Sequence, residues 1–384
     1  MKLRRQLGTY IKGQGSKPWR KVFYIDPMSM RNLSIYDYNL LSRLRGDLFY
    51  LCSKHYDYRP MTNVRMIRTF SYNYINNVCL KVGSYITSYL RILILTIVKR
   101  PQVVHMQWCK IPGWDLLYMK FAKHVMGARI IITAHNLLPH NSGDKYRREF
   151  YRIYRTADGI IVHTQRTKDE MISMFGVEAN KIHVLRHGVV SLASEPPTSE
   201  MPDLSDKFVI TSLGEQSRYK GIDLLSEVWA TTKELRDDKS IRLVIAGKTR
   251  EIDLSPLEGI ENVYLREERI SNGDFLHLLR STNVYMLPYR TISQSGALMT
   301  AMAENIPMAV TDVGGLTEPL QFGKIGWIIS ACTVEAIRDS LLQIVRNKDE
   351  ALRIKCDTDT WNKVKSHYQW DDISQQLQQL YDSI

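Results

Sequence analysis

The chain has 384 residues, 44% of them hydrophobic and 24% charged, with 52 Lys and Arg against 40 Asp and Glu. That length points to two domains of roughly 100–200 residues each, and the apolar content excludes wholesale disorder. The charge is lopsided: residues 1–190 hold 31 Lys and Arg against 11 Asp and Glu, while residues 191–384 hold 21 against 29. The first half therefore faces something anionic, whether a membrane surface, a phosphorylated substrate or nucleic acid.

The opening stretch, MKLRRQLGTYIKGQGSKPWR, is basic and has no apolar core of the kind a secretory signal carries. No run of about 18 apolar residues follows, which argues against a membrane-spanning helix; the nearest candidate, Tyr89 to Val98, is short and contains Arg91. Five scattered cysteines (Cys52, Cys79, Cys109, Cys332, Cys356) form no C-x-x-C pair and fit reduced thiols in a cytoplasm. In chain order, short β-branched runs predict strands at Val22–Ile25, Val103–His105, Ile130–Thr133, Ile160–Val162 and Ile182–Leu185. Ser191 to Ser205, rich in Pro, Ser and Glu, reads as a linker. Strands resume at Phe208–Ser212, Leu243–Ala246, Val263–Leu265, Val284–Leu287, Met308–Val310 and Trp327–Ile329. Helices are expected at about Ile222–Lys233, Asp274–Ser281, Ser295–Glu304 and Val334–Val345. An amphipathic helix closes the chain at Asp371–Tyr381. The expected fold is α/β, with two doubly wound Rossmann-like domains facing across a cleft.

Ligands of such sheets bind beyond the carboxyl ends of the strands, so the loops there carry the chemistry. Gly247-Lys248-Thr249 is no P-loop, because Arg242 stands where its leading Gly belongs, and Gly13 and Gly15 precede a strand instead of following one. The segment Ser212 to Gly221 (SLGEQSRYKG) follows the first strand of the second set and opens a helix. Gly214 there, with Arg218 and Lys220 beside a helix N-terminus, suits a diphosphate. After strand Val284–Leu287, Ser293, Gln294, Ser295 and Gly296 lead into an Ala-rich helix: Ser295 reads as its N-cap, and Gly296 lets an anion approach the backbone. Gly314 and Gly315 do the same after the next strand.

Residues 208–321 resemble the donor-binding domain of GT-B glycosyltransferases, specifically the family-4 group of bacterial saccharide-assembling enzymes. The matching phrases are Tyr219 to Asp223, Ser295 to Ala303 ahead of Pro307, and Asp312 to Gly315 through Glu318. In the first half, Thr133-Ala134-His135-Asn136 with Pro139-His140, and Ala157 to Thr164, resemble the acceptor-side loops of that group. Trp370 to Tyr381 is similar to its helix that crosses back onto the first domain. The resemblance implies an acceptor-side domain over 1–188 plus 367–384 and a donor-binding domain over 189–366.

The same resemblance implies sugar transfer from a UDP- or GDP-linked donor to a lipid-linked or growing saccharide of a bacterial surface polysaccharide. Arg218 and Lys220 would neutralise the diphosphate in place of a metal, so neither metal nor cofactor is expected. His135 would sit at the reaction centre, Arg266 at the base, and Gly296 and Glu318 on phosphate, sugar or nucleotide hydroxyls. Asp26, Asn32, Asp37 and His140 form the expected acceptor side, where a carboxylate can take a proton from the attacking hydroxyl. A cytoplasmic enzyme with peripheral contact to the inner membrane face through its basic first domain, and no nucleic-acid partner, is the resulting expectation.

The group's Glu-x7-Glu pair is absent, its places taken by Ile292 and Thr300, so Thr300 or Ser295 would have to serve the ribose. The diphosphate Arg normally lies three or five places before the Lys, where Ser217 and Glu215 stand here, and the Gly-rich first loop is replaced by Asp26 to Asn32. These departures admit an alternative: a catalytically inactive GT-B-like partner subunit of another glycosyltransferase.

Overall fold

The computed structural model describes residues 20–139 and 143–384. In the first domain, strands alternate with helices in the order β1 (Lys21–Asp26), α1 (Asn32–Leu41), β2 (Asp47–Ser53), β3 (Val64–Phe70), α2 (Val78–Lys99), β4 (Val103–Met106), α3 (Pro112–His124), β5 (Arg129–Thr133), α4 (Arg147–Thr156), β6 (Gly159–Val162), α5 (Gln165–Phe175) and β7 (Ile182–Val184). The strands pair in parallel as β3-β2-β1-β4-β5-β6-β7. Runs such as VFYI and LFYLC are buried on both faces, as a helix-covered parallel sheet requires. Residues of α2 to α5 fill the core on one face, including Tyr85, Met119, Ile153 and Met171. On the other face, α1 packs beside the C-terminal helix, through Leu40 and Leu377 among others. Strands β2 and β3 were absent from the sequence reading. β3 is an edge strand whose Arg65 and Arg68 break its apolar pattern.

The second domain runs β8 (Phe208–Leu213), β9 (Gln216–Ser217), α6 (Ile222–Thr231), α7 (Lys233–Arg236), β10 (Ile241–Ala246), β11 (Thr249–Arg250), β12 (Val263–Arg266), α8 (Asn272–Arg280), β13 (Val284–Leu287), α9 (Gly296–Ala303), β14 (Met308–Thr311) and β15 (Gly326–Ile329). Helices α10 (Val334–Arg346), α11 (Lys348–Cys356), α12 (Thr358–Ser366) and α13 (Trp370–Ser383) follow. The main sheet is again parallel, in the order β12-β10-β8-β13-β14-β15, with β9 and β11 paired apart from it. In both sheets the strand order reverses beside the first strand, between β1 and β4 and between β8 and β13. That reversal opens a crevice at the carboxyl edge.

Two findings correct the sequence reading. The stretch read as a linker is docked: the Thr198 backbone N–H and the Ser199 hydroxyl both donate to the buried Asp274, at 2.7 and 3.0 Å. Gly273 lies so close under it that a Cβ would fall 2.1 Å from the Pro196 carbonyl oxygen. The apolar run at Tyr89–Val98, read as too short to span a membrane, belongs to a helix of 22 residues, from Val78 to Lys99, which by length and composition could cross one. Its Tyr85, Tyr89 and Ile92 are nevertheless buried in the first-domain core.

The chain crosses between domains twice, and the two crossings hold each other. The Val189 N–H donates to the Tyr368 carbonyl at 3.2 Å, and the Trp370 indole N–H donates to the Val189 carbonyl at 2.7 Å. Gly188 lies against the indole, where a Cβ would come within 2.4 Å of the ring. From there α13 packs on the first domain through Ile373, Leu377, Leu380 and Tyr381, and the Tyr381 hydroxyl meets His105 Nδ1 at 2.6 Å. Leu377→Ala would leave a cavity at a fully buried position. It is expected to cost about 2–5 kcal/mol in urea denaturation, with the loss concentrated in the first domain.

Candidate active site

The strongest site geometry lies where the β8 and β13 loops meet. Gly221, at φ 71°, turns the chain into α6, and a Cβ there would strike the Pro288 carbonyl oxygen at 1.9 Å. Arg290 fastens the two loops: its backbone N–H donates to the Tyr219 carbonyl at 2.8 Å, and its guanidinium grips both Asp223 oxygens, at 2.6 and 2.8 Å. A third Arg290 contact goes to the Arg218 carbonyl. This frame leaves the Arg218 side chain exposed and without an ion-pair partner among the described residues. Lys220 is half-buried, its ammonium 6.0 Å from the Tyr289 ring centre. Burial pushes the Lys220 ammonium down to about 8, opposed by the charge of Glu215. A desolvated cation beside an exposed one at a sheet's switch point is a receptor for a compact polyanion.

The other expected donor residues are distributed as follows. The Ser295 hydroxyl caps α9 by accepting from the Leu298 N–H at 3.3 Å, while Gly296 is exposed at the helix start. The Gln294 side chain accepts from the Ser295 N–H at 2.9 Å, and the Ser293 carbonyl accepts from the Gly315 N–H at 3.0 Å. Gly214 adopts φ 92° at the mouth of the β8 loop, about 4.0 Å from Lys220 Nζ to where a Cβ would stand. Thr300 is buried and its hydroxyl proton is spent on the Gly296 carbonyl at 2.9 Å, which leaves its oxygen only the accepting role. Arg266 ends the outermost strand with its guanidinium shared between Glu268 and Asp274, at 3.0 and 3.2 Å. It braces the docked segment and is not open to a base. Glu318 faces Arg186 of the first domain at 3.5 Å, and its Oε2 is buried with no hydrogen-bond partner among the described residues. Burial pushes the Glu318 carboxyl up, against the pull of Arg186.

On the first domain, Asn32 is exposed at the start of α1. His140 lies outside the described residues. Asp26 and Asp37 are a correction: both are buried, face the domain interior, and cannot meet an acceptor. Asp37 accepts from the Tyr24 hydroxyl at 2.7 Å and from the Tyr50 hydroxyl, and the Asp26 carboxyl is hydrogen-bonded to it. Burial raises both carboxyls, Asp37 to about 6, and the negative charge of Asp37 raises Asp26 further.

His135 follows β5 and is one of four histidines at the ends of successive strands: His105 in β4, His135 after β5, His163 after β6 and His187 after β7. Burial drives all four downward, His163 to about 4 and His105 and His187 to about 3, so the cluster is neutral. Among the described residues no three His, Cys, Asp or Glu side chains are grouped to hold a metal. Protons can be counted along this chain. His163 Nδ1 lies 2.8 Å from the Leu185 carbonyl, which only accepts, so its Nε2 is a lone pair. His135 Nδ1, 3.1 Å away, must then donate to it. That leaves His135 Nε2 as an acceptor, 2.9 Å from the Gln107 side-chain oxygen. Two neutral rings bring two protons to three contacts. The count closes with an imidazolium or with a half-turn of the Gln107 carboxamide that presents its NH2, and burial favours the half-turn. His135 is thus held through both nitrogens and stacked on Trp108, with ring centres 4.5 Å apart at 9°.

Trp108 and Gln107 beside His135, and Arg186 beside Glu318, are candidate site residues the sequence reading missed, whereas His163 lies in the Ala157–Thr164 phrase it singled out. The Trp108 indole N–H is buried without a partner among the described residues, a donor on one domain to set against the open Glu318 oxygen on the other. The two domains touch directly. Arg166 binds Asp312 at 3.1 Å, and Gly315 lies against Thr164, where a Cβ would come 2.4 Å from the methyl group.

Two outcomes follow from these environments. Because folding raises the Asp37 pKa, its stabilising contribution is full below the ordinary carboxylate range and is lost as pH rises through about 6. Asp37→Asn should therefore gain stability relative to the parent as pH rises from about 4 to about 6 and keep that gain above it, read as melting temperatures that diverge and then run parallel. Gln107→Glu places an anion against His135 and should raise its pKa, visible as imidazole titration by 15N NMR; an unchanged ring would contradict the proton count.

Two family models match the chain: Glycosyltransferase Family 4 over residues 41–190 and Glycosyl transferases group 1 over residues 207–347. Among curated proteins, mannosylfructose-phosphate synthase of Agrobacterium fabrum is 23% identical over 242 residues, covering 59% of this chain and 53% of the relative. Phosphatidyl-myo-inositol mannosyltransferase of Mycobacterium leprae is 25% identical over 199 residues, 51% of each. The chain thus spans about half the length of these relatives. Among solved structures, Anabaena HepE in complex with UDP-glucose superposes with a TM-score of 0.69 at 13% identity, over 95% of this chain and 100% of that one. Its likeness is one of fold. Matched in both halves by glycosyltransferase models and folded as two facing parallel sheets, the chain belongs to the family-4 glycosyltransferases of the GT-B fold.

Proposed function

We propose that this glycosyltransferase moves a hexosyl group from a UDP- or GDP-linked donor to a hydroxyl of a lipid-linked or growing saccharide, in the assembly of a bacterial surface polysaccharide. The observation that carries the reading is the pair of cations at the β8–β13 switch point, one desolvated and one exposed, framed by Arg290 and Asp223. The acceptor hydroxyl oxygen forms the new bond to the anomeric carbon as the bond to the diphosphate breaks, and the hydroxyl proton leaves with the departing diphosphate oxygen. Arg218 and Lys220 then neutralise the charge gathering on the departing nucleotide, the work a bound metal does elsewhere. The N–H groups at the start of α9 add donors to the same anion. Glu318 Oε2 is an open acceptor for a donor hydroxyl, and the Trp108 indole an open donor. His135, neutral and fixed, presents an uncharged wall beside the transferring sugar.

A neighbour of the same fold was solved with UDP-glucose, which supports the nucleotide-sugar donor. A relative named for mannosylation of phosphatidyl-myo-inositol supports an acceptor at a membrane. In this reading the enzyme works in the cytoplasm, against the inner face of the membrane, through its basic first domain.

The direct test is transfer or hydrolysis across a panel of UDP- and GDP-sugars. Lys220→Ala and Arg218→Ala should each lower kcat/KM by about 100-fold, with the melting temperature unchanged. Lys220 loses its charge as pH rises through about 8, so UDP affinity should fall above that pH, and Lys220→Arg should flatten the fall. Full activity in both alanine variants would refute the reading.

A further inference from the structure

Helix α2 carries apolar residues on its outer side as well as its inner one. Its inner side, Tyr85, Ser88, Tyr89, Ile92 and Thr96, is buried, and the Tyr85 and Tyr89 hydroxyls both donate to the buried Asp115 of α3. At 100° per residue the opposite side gathers Leu80, Gly83, Thr87, Leu90, Ile94 and Val98 within one narrow arc. These residues face outward: Leu80 is 66% exposed, Leu90 53%, Ile94 62% and Val98 67%. Single exposed apolar residues are ordinary, but an unbroken stripe about 27 Å long, at 1.5 Å per residue, is not. An ordinary surface helix carries charge along that side, and here Arg91 alone borders it.

The charge around the stripe identifies what covers it. From Tyr58 to Trp114 there is no Asp or Glu, against eight Lys and Arg. Neighbouring α3 and α4, on the same face of the sheet, expose Lys120, Arg147, Arg148, Arg152 and Arg155. A second copy of the chain would set two such cationic rims against each other. An anionic lipid surface is attracted by them, while its acyl layer takes the stripe. The helix cannot leave the domain to span the bilayer without abandoning Asp115 and the core, so it lies in the plane of the interface. It also begins beside the acceptor side: the Tyr72 hydroxyl and the Asn73 amide, just before α2, donate to the Pro27 carbonyl in the loop after β1, both at 3.2 Å.

We infer that the outer stripe of α2, Leu80 to Val98, is a membrane-docking surface that inserts into an anionic phospholipid bilayer and holds the first-domain mouth at the lipid headgroups. This deepens the membrane-facing side of the reading above and is tested independently of sugar transfer. The full chain is floated with vesicles of phosphatidylglycerol and phosphatidylcholine (about 3:7) and with phosphatidylcholine alone. Binding is expected to the anionic vesicles, with weakening as salt rises to about 0.5 M. The Leu90→Glu/Ile94→Glu double variant should lose about tenfold or more of that binding, while keeping its melting temperature and its UDP affinity in solution. Equal binding of parent and variant would overturn the inference. So would a lipid-free dimer that the variant dissolves, which would mean the stripe is covered by a second copy. Resistance to alkaline carbonate extraction would overturn in-plane docking in favour of spanning. Loss of nucleotide-sugar turnover with vesicle binding intact would sink the proposed reaction and leave this surface standing.

Discussion

The architecture depends on the point where the chain passes twice between the domains. Val189, leaving the first domain, and Tyr368 and Trp370, returning to it, are hydrogen-bonded to one another, and only glycine at 188 lets the indole lie flat against the backbone. Because the crossings are paired, α13 is anchored on the first sheet while α12 stays with the second. The carboxyl edges are therefore held opposite one another. A cation pair on one edge and a histidine row on the other would have no joint meaning without that constraint.

The two walls are built on different physics. The second-domain wall keeps charge: Arg218 stays in solvent, Lys220 is partly stripped of water, and backbone turns at Gly214, Gly221 and Gly314 adopt left-handed angles. The first-domain wall removes charge. Four histidines are held neutral by burial, and two aspartates are folded inward, Asp37 onto tyrosine hydroxyls and Asp26 onto Asp37. A polyanion is thereby drawn to one side, and the side that meets the other substrate adds little field of its own. The open Trp108 N–H and Glu318 oxygen are the exceptions, one on each domain.

Much of this was legible in the sequence. Strands such as Ile130–Thr133 and Val284–Leu287 announce themselves because burial on both faces leaves a continuous apolar run. The Arg218–Lys220 turn is legible because phosphate-type sites are local in sequence. Asp37 was misread because its destination is set by Tyr24 and Tyr50, which only the β1–β2 pairing brings alongside, and Asp26 because its carboxyl is turned to Asp37. Arg266 was misread for the same reason, its partner Asp274 being committed to the docked segment. The histidine row had a signal that went unused: His105, His135, His163 and His187 recur at about the length of one strand–helix unit, so each returns to the same edge of the sheet. The membrane-spanning length of α2 was discounted because Arg91 interrupts its apolar run, whereas in the helix Arg91 borders the exposed stripe.

The docked segment between the domains has a mechanical meaning. Residues 196–199 are tied to α8 through Asp274 and Gly273, so the stretch that could have served as slack between β7 and β8 is reeled in against one body. What remains between the lobes is the short stretch around Gly188, pinned to its returning counterpart. Such a joint allows the lobes to swing but not to drift apart or slide. The latches Arg166–Asp312 and Arg186–Glu318 sit at the rim of that swing, so each cycle of opening must break both ion pairs and re-form them in register.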